Sequence, residues 1–394
     1  MPGPLDGIRI LDLSTVISGP FATMLLADQG ADVIKVESVS SPDHARGAGH
    51  GENEFTATFL NNNRNKRAVT LDLKTQEGKS ILLKLAATAD VFVQNFRPGV
   101  VERLGIGYDE IRSVKPDIVY ASISGFGEKG PWVHKPVYDP IVQALSGLTT
   151  IQAGSDEARP RLVRTIVPDK LTGMTTAQAI SSALVARERS GIGQHVRVSM
   201  LDAVIAFLWA SDMGGQTFVG KEVSVQRAAT FIDLIYETAT DYISVSAMTN
   251  MQWQALCDAV GHPEWKADER FRTPALRDRY ANERLELTQS ALLDKPADAW
   301  LEILEEAGVP CAPVLTRGQM ISHPQVLASE LIIETDHPVA GRLRQTRTAA
   351  RFSETTPELR RGAPRHGEHN EELLGELGIS LQEQQALREK GIIK

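Results

Sequence analysis

What most constrains this chain is the alternation, over its first 200 residues, of short β-branched runs with helical patterns. Ile8 to Leu13 reads as a strand, Pro20 to Gln29 as a helix closed by Gly30, and Val33 to Glu37 as a second strand. Ala68 to Leu73, a helix near Glu77 to Ala89, Val91 to Phe96 and Ile118 to Ile123 continue the series. Strands joined through helices pair in parallel, and right-handed crossovers put helices on both faces. The sequence therefore predicts an α/β fold with a doubly wound, mostly parallel, Rossmann-like sheet.

Around Phe231 the texture changes to Arg/Glu-rich helices, Ala281 to Leu293 and Pro296 to Ala307, the second with Trp300, Leu301, Leu304 and Ala307 on one face. Residues 1–225 read as a large domain, 226–330 as a smaller α+β domain, and 331–394 as a C-terminal segment returning to the large domain. That last segment has extended chain from Leu331 to Thr355 and closing helices at Glu368 to Leu377 and Leu381 to Lys390.

With 394 residues, 42% hydrophobic, the chain can bury a large core. Its net charge of −8 removes the electrostatic basis for binding nucleic acid or an anionic membrane. No apolar run approaches the roughly 18 to 20 residues of a membrane span, and Met1 to Arg9 lacks a signal-peptide core, so a cytoplasmic protein is expected. Cys257 and Cys311 form neither a disulfide framework nor a metal cluster, and the histidines show no H-E-x-x-H spacing. We expect no metal and no permanently bound cofactor.

One acidic residue stands out. Asp169 lies in Thr165-Ile166-Val167-Pro168-Asp169, where a β-branched run gives way to a small-residue helix pattern, so the sequence predicts a strand-to-helix junction. Asp there is either a helix N-cap or a carboxylate kept ionised in a cleft by the helix dipole. Spacing alone leaves both open.

Gly125-Phe126-Gly127-Glu128-Lys129-Gly130 fits G-x-G-x-x-G, but Pro131 and Pro136 follow and the last glycine opens no helix to hold a pyrophosphate. A nicotinamide dehydrogenase is set aside; these glycines serve a close approach of the loop to a ligand or another backbone.

Taken in order, several strings resemble the class III coenzyme A transferase family, which includes formyl-CoA and carnitine CoA-transferases and α-methylacyl-CoA racemases. They are Pro4-Leu5-Asp6-Gly7-Ile8-Arg9, Ser18-Gly19-Pro20, Gly30-Ala31-Asp32-Val33-Ile34-Lys35-Val36-Glu37, Asn62-Asn63-Arg64-Asn65-Lys66-Arg67, Asn95-Phe96-Arg97-Pro98-Gly99, Ser124-Gly125-Phe126-Gly127, Tyr138-Asp139 with Gln143-Ala144, and Gly367-Glu368-His369-Asn370. The resemblance implies that Asp169 is a nucleophile and that the protein is an interlocked homodimer. In the family's reaction the aspartate attacks an acyl-CoA thioester to give a mixed anhydride, CoA thiolate converts it to an enzyme thioester, and an acceptor acid reverses the exchange. Acyl-CoA and a small carboxylic acid are then the substrates.

The same resemblance assigns Leu71, Asp72, Leu73 and Lys74 to the adenine end of coenzyme A, places Asn95, Phe96 and Arg97 at the next strand end, adds Arg103 as a coenzyme A contact, and gives the backbone around Ile17 and Ser18 to the pantetheine channel. Lys135 and Tyr138 are further candidates. Two positions depart from the pattern: Ser38 stands where some members carry arginine, and Pro136 precedes Val137-Tyr138 where lysine is common, leaving Lys135 displaced by one residue.

Racemases of the family place histidine at the position of Tyr138, and a phenol near pKa 10 is a poor substitute for imidazole, so transfer is preferred to racemisation. A non-catalytic acyl-CoA binder is disfavoured because Asp169 is intact. Ser246-Ala247-Met248-Thr249-Asn250 has no counterpart of the glycine-rich loop of formyl-CoA transferases, which argues against oxalate, and Met248 is expected to shape the acyl pocket. Arg46, Arg64 or Arg164 are candidates to hold the second carboxylate of a dicarboxylic acid, with succinyl-CoA an expected donor.

Overall fold

The structure is a computed structural model that describes residues 3–223 and 233–394. The expected boundary at 225/226 and the change of texture at Phe231 lie outside the described residues. The chain forms two compact units, one comprising 1–148, 162–211 and 329–394, the other 149–161 and 212–328.

The first unit is built on strands β1 (Arg9–Asp12), β2 (Asp32–Glu37), β3 (Lys66–Thr70), β4 (Val91–Gln94), β5 (Val119–Ser124) and β6 (His195–Ser199). They form a single 6-stranded sheet in the order β3-β2-β1-β4-β5-β6. All pairs are parallel. Helices α1 (Ser18–Asp28), α2 (Gln76–Ala87), α3 (Asp139–Leu145), α4 (Val167–Ser190) and α5 (Met200–Trp209) belong to the same unit.

Period-two alternation splits the strands between two cores. Leu11, Ile34, Val69, Phe92 and Tyr120 pack with Ile81, Leu82 and Leu85 of α2. Ile10, Val33, Val91, Val119 and Ala121 pack on the other face with Leu26 of α1 and Ile180 and Leu184 of α4. The sheet is covered on both sides, as near-continuous apolar strands require. The chain runs outward from β1 to β3, then returns to β4 and runs the other way. The carboxyl ends of β1 and β4 therefore flank the switch point at which ligands bind in such sheets.

The C-terminal segment belongs to this unit. The His369 N–H bonds the Ala68 carbonyl, the Asp72 N–H bonds the Ile392 carbonyl, and the Lys394 N–H donates to Thr70 Oγ1. These contacts fix the chain's last residues at the end of β3.

The second unit has a 3-stranded antiparallel sheet in the order Cys311–Pro313, Tyr242–Val245, Ile235–Glu237. Trp253, Trp265, Phe271 and Trp300 form its core, and the Trp300 indole N–H is satisfied by the Leu292 carbonyl at 2.8 Å. Cys257 sits in that core, where burial pushes its thiol up to about 11, so it is an inert apolar filler.

Candidate active site

Asp169 is the third residue of α4, after Pro168 in the first turn. No strand precedes it, which corrects the predicted strand-to-helix junction: residues 161–166 are loop. The β-branched run finds no strand edge, and Gln143 takes its backbone groups instead. The Gln143 amide donates to the carbonyls of Val163 (3.3 Å) and Thr165 (3.4 Å), and its oxygen accepts the Val163 N–H at 2.9 Å.

Asp169 does not cap its own helix. The N-cap is Ile166, with no side-chain cap, and the Asp169 N–H donates to Oδ2 of Asp139 at 3.4 Å. Gln143 holds the other oxygen of Asp139 at 2.6 Å. Spaced four residues apart on α3, Asp139 and Gln143 thus fix both the loop entering α4 and the first turn of α4.

Released from capping, the Asp169 carboxylate faces Ser18, the first residue of α1. The hydroxyl and N–H of Ser18 favour the anion, but burial and then the neighbouring Asp139 charge outweigh them and push Asp169 up to about 6. The helix dipole favours the anion, but desolvation beside a like charge outweighs it. Burial also raises Asp139.

α4 can approach Ser18 because residue 173 is glycine. A Cβ there would stand 2.8 Å from the Ser18 carbonyl oxygen and 2.8 Å from Phe21 Cδ1. Gly173→Val is expected to destabilise the fold by about 1–3 kcal/mol in urea melts, because neither the Ser18 backbone nor the buried helix pair has room to shift.

The loop that presents Ser18 is held one peptide at a time. Lys35 Nζ donates to the Ser14 carbonyl at 2.9 Å and to Asp43 at 2.8 Å, with both side chains fully buried. The Thr15 N–H and carbonyl pair with the Asn95 side chain at 2.9 and 2.8 Å. The Val16 N–H donates to Asp43 Oδ1 at 2.9 Å. Val16 has φ +72°, a left-handed conformation that a β-branched residue resists and that these bonds enforce.

Of the residues assigned from sequence, Ile17 and Ser18 begin α1 at the end of β1, and Asn95, Phe96 and Arg97 follow β4 across the switch point. Asn95 is committed to Thr15 and so acts on the loop, leaving Phe96 and Arg97 to line an adjoining cleft of about 930 Å³ along β4 to β6. Gln94, Ser122, His195 and Arg197 share that cleft, while Asp169 does not line it. The catalytic assignment accordingly rests on the carboxylate's own surroundings.

Leu71 to Lys74 follow β3, but the Leu71 side chain is fully buried in the core, which leaves only its backbone to a ligand. The Lys74 N–H donates to Asp72 Oδ1 at 3.0 Å, forming a turn, and the Lys74 side chain is exposed. Arg103, in the short helix Val100–Leu104, is also exposed. Lys135 lies 3.4 Å over the Trp132 ring, and Tyr138 is the N-cap of α3, 72% exposed. The glycine-rich decoy opens no helix; a Cβ at Gly125 would meet Val137 Cγ1 at 2.3 Å, so this loop passes close to its own chain.

Two of the arginines considered for a second carboxylate are already occupied. Arg46 is paired with Glu37 at 2.7 Å and Arg64 with Asp28 at 2.7 Å, whereas Arg164, five residues before Asp169, is exposed. Sequence reasoning missed Lys35, Asp43 and the Asp139–Gln143 pair as organisers of the site. The i, i+4 spacing of the last two was the available signal.

Residues 5–370 match the family described as CoA-transferase family III. The chain belongs to the class III CoA-transferase family. The transferase is 32% identical over 379 residues to a succinyl-CoA:glutarate CoA-transferase of Mus musculus, covering 95% of this chain and 86% of the relative. It is 35% identical over 341 residues to an acetyl-CoA:oxalate CoA-transferase of Acetobacter aceti, covering 84% and 86%. A CAIB/BAIF family protein from Brucella suis superposes with TM-score 0.83 at 29% identity, over 96% of the transferase and 100% of that chain. Among the described residues, no helix of the transferase is long and apolar enough to cross a membrane.

Proposed function

We propose that the transferase moves coenzyme A between a small acyl-CoA and a free acid, dicarboxylic acids included, through an anhydride and then a thioester on Asp169. The single observation that carries this reading is a carboxylate excused from capping, set against Ser18 and raised to about 6, which is a more basic nucleophile than an ordinary aspartate yet mostly ionised at neutral pH. Dicarboxylates are favoured by the exposed Arg164, five residues before Asp169 in the chain, and by the succinyl-CoA:glutarate relative. Oxalate belongs in the assay, since an oxalate transferase is also among the relatives despite the absence of a glycine-rich loop here. A panel of acyl-CoA donors and free acids read by mass spectrometry tests the reading; exclusive exchange of an α-proton, with no movement of CoA, contradicts it.

The anion is the reactive form, so kcat/KM is expected to be level above Asp169's value and to fall about tenfold per pH unit below about pH 6. Asp139→Asn keeps an acceptor for the Asp169 N–H but removes the like charge, and should move this acid limb downward. An unmoved limb would show that Asp139 does not tune the nucleophile.

We further assign the homodimer to an apolar face on this unit. Ile141 and Leu145 of α3, Met174 and Val185 of α4, and Phe207 and Trp209 of α5 are each at least two-fifths exposed. So much apolar surface on adjacent helices suits burial by a second copy. Light scattering should report twice the chain mass; the mass of one chain contradicts this assignment.

A further inference from the structure

Asp43 is buried beyond the end of β2, where it caps the short turn His44–Arg46. Both of its carboxylate oxygens are committed. Oδ1 accepts the N–H groups of Val16 at 2.9 Å and Ala45 at 3.0 Å, and Oδ2 accepts Lys35 Nζ at 2.8 Å. Its own N–H donates to Oε1 of Glu37, the last residue of β2, at 3.0 Å. The Lys35 and Asp43 side chains are both shut off from solvent, so neither charge can leave without stranding the other. The carboxylate is thus a fixed point carried by the sheet.

Val16 is what that fixed point holds. Its φ of +72° is costly for a β-branched residue, and its side chain is 36% exposed, so core packing does not impose the turn. The bond from its N–H to Asp43 does. Two residues later Ser18 opens α1, and Gly173 lets α4 come close to the Ser18 carbonyl. Around Asp169, α3 presents the like charge of Asp139, and α4 presents Lys170, which is turned onto Thr165 at 2.8 Å. Ser18 of α1 supplies the donors that favour the anion. The direction in which Ser18 points therefore follows from the Val16 turn.

We propose that Asp43 is a positioning residue for CoA transfer: anchored by Lys35, it holds Val16 left-handed, and that turn delivers the Ser18 hydroxyl and N–H to the Asp169 carboxylate. This rests on the reading of Asp169 as the nucleophile. Charge alone is not enough for the task. An amide at position 43 cannot satisfy the same neighbours, because turning its oxygen to Val16 and Ala45 sets its NH2 against the Lys35 ammonium, and the reverse sets it against two N–H groups.

Profiles of kcat and kcat/KM against pH, with melting curves beside them, test this on the full chain. Asp43→Asn should lower kcat about 10- to 100-fold, the effect of a misplaced site group. It should also raise the acid limb above about 6 by roughly half to one pH unit, the worth of one hydrogen bond to the carboxylate and opposite in sign to Asp139→Asn. Adding Val16→Gly, which takes a left-handed φ without strain, should bring the limb back toward the wild-type position. Val16→Pro fixes φ at about −65° and has no N–H, leaves the buried pair alone, and should raise the limb by itself. It decides the matter should Asp43→Asn fail to fold.

A limb that stays in its wild-type position in Val16→Pro or in folded Asp43→Asn, whatever the loss of stability, makes the pair a structural one and overturns the proposal. A limb that Val16→Gly does not bring back overturns it as well. A wild type that moves no CoA, or that shows no acid limb near 6, refutes the nucleophile reading and this proposal with it, an outcome distinct from the others.

Discussion

Asp169→Ala is expected to lower kcat for CoA transfer by about 10⁴ to 10⁶, the loss that follows when a covalent nucleophile is removed. The protein should remain folded, because Asp169 caps nothing: the first turn of α4 is tied through the backbone N–H at 169, which alanine keeps, to Asp139. Removing a buried carboxylate that has been raised to about 6 also relieves a desolvated charge at neutral pH. The sign follows from the direction of the shift. A carboxyl raised on folding favours the native state only in its protonated form, so the wild type bears the cost above about pH 6 and not below its ordinary value of 3.8. Melting curves should therefore show the variant gaining on the wild type as pH rises through that window. Activity lost with stability kept separates a nucleophile from a structural aspartate.

The second large effect is on stability. Lys66 and Asp12 are both fully buried and 3.0 Å apart, and Lys66 also donates to the Pro20 carbonyl and Asn63. Asp12 in turn accepts from the Ser14 N–H at 2.9 Å and from Thr23 at 2.7 Å, residues on either side of Ser18. Lys66→Met leaves the Asp12 charge short of its closest cation and should cost about 3–5 kcal/mol in urea melts. Lys66→Met with Asp12→Leu should cost less than the sum of the two single changes, since the second removes the stranded charge. Against the pull of burial, Lys66 and Lys35 hold Asp12 at about 2. Its contribution is present above the ordinary value of 3.8 and is lost as pH falls toward about 2, so the wild type should lose stability across that range and Lys66→Met should lose less. Strict additivity of the two substitutions would show that the ion pair does not organise this loop.

The parallel sheet was legible because its signal is local: short apolar runs separated by helix patterns admit few pairings, and β1 to β5 fall within a few residues of their sequence boundaries. Asp169 was legible as a residue but not in its circumstances. A helix start leaves open a cap or a carboxylate kept ionised; the structure shows no side-chain cap, and burial together with the like charge of Asp139, 30 residues earlier, raises the group to about 6. The β-branched run before it reads as strand by propensity, yet Gln143 satisfies its backbone in place of a sheet. Nothing local to Lys35 or Lys66 reveals that Asp43 and Asp12 meet them in a buried interior. Thr149 to Arg161 joins the second unit through contacts distant in sequence, which no periodicity encodes. Long-range electrostatics and chain crossings were what the sequence withheld.

The central claim is that Asp169 is transiently acylated. Incubating the protein with an acyl-CoA donor and hydroxylamine, then mapping peptides by mass spectrometry, tests it most directly: the amine nitrogen attacks the activated Asp169 carbonyl and expels the acid or the thiol. A donor-dependent hydroxamate confined to Asp169 is the predicted result. A peptide containing unmodified Asp169, recovered under conditions in which CoA still moves between acids, contradicts the account.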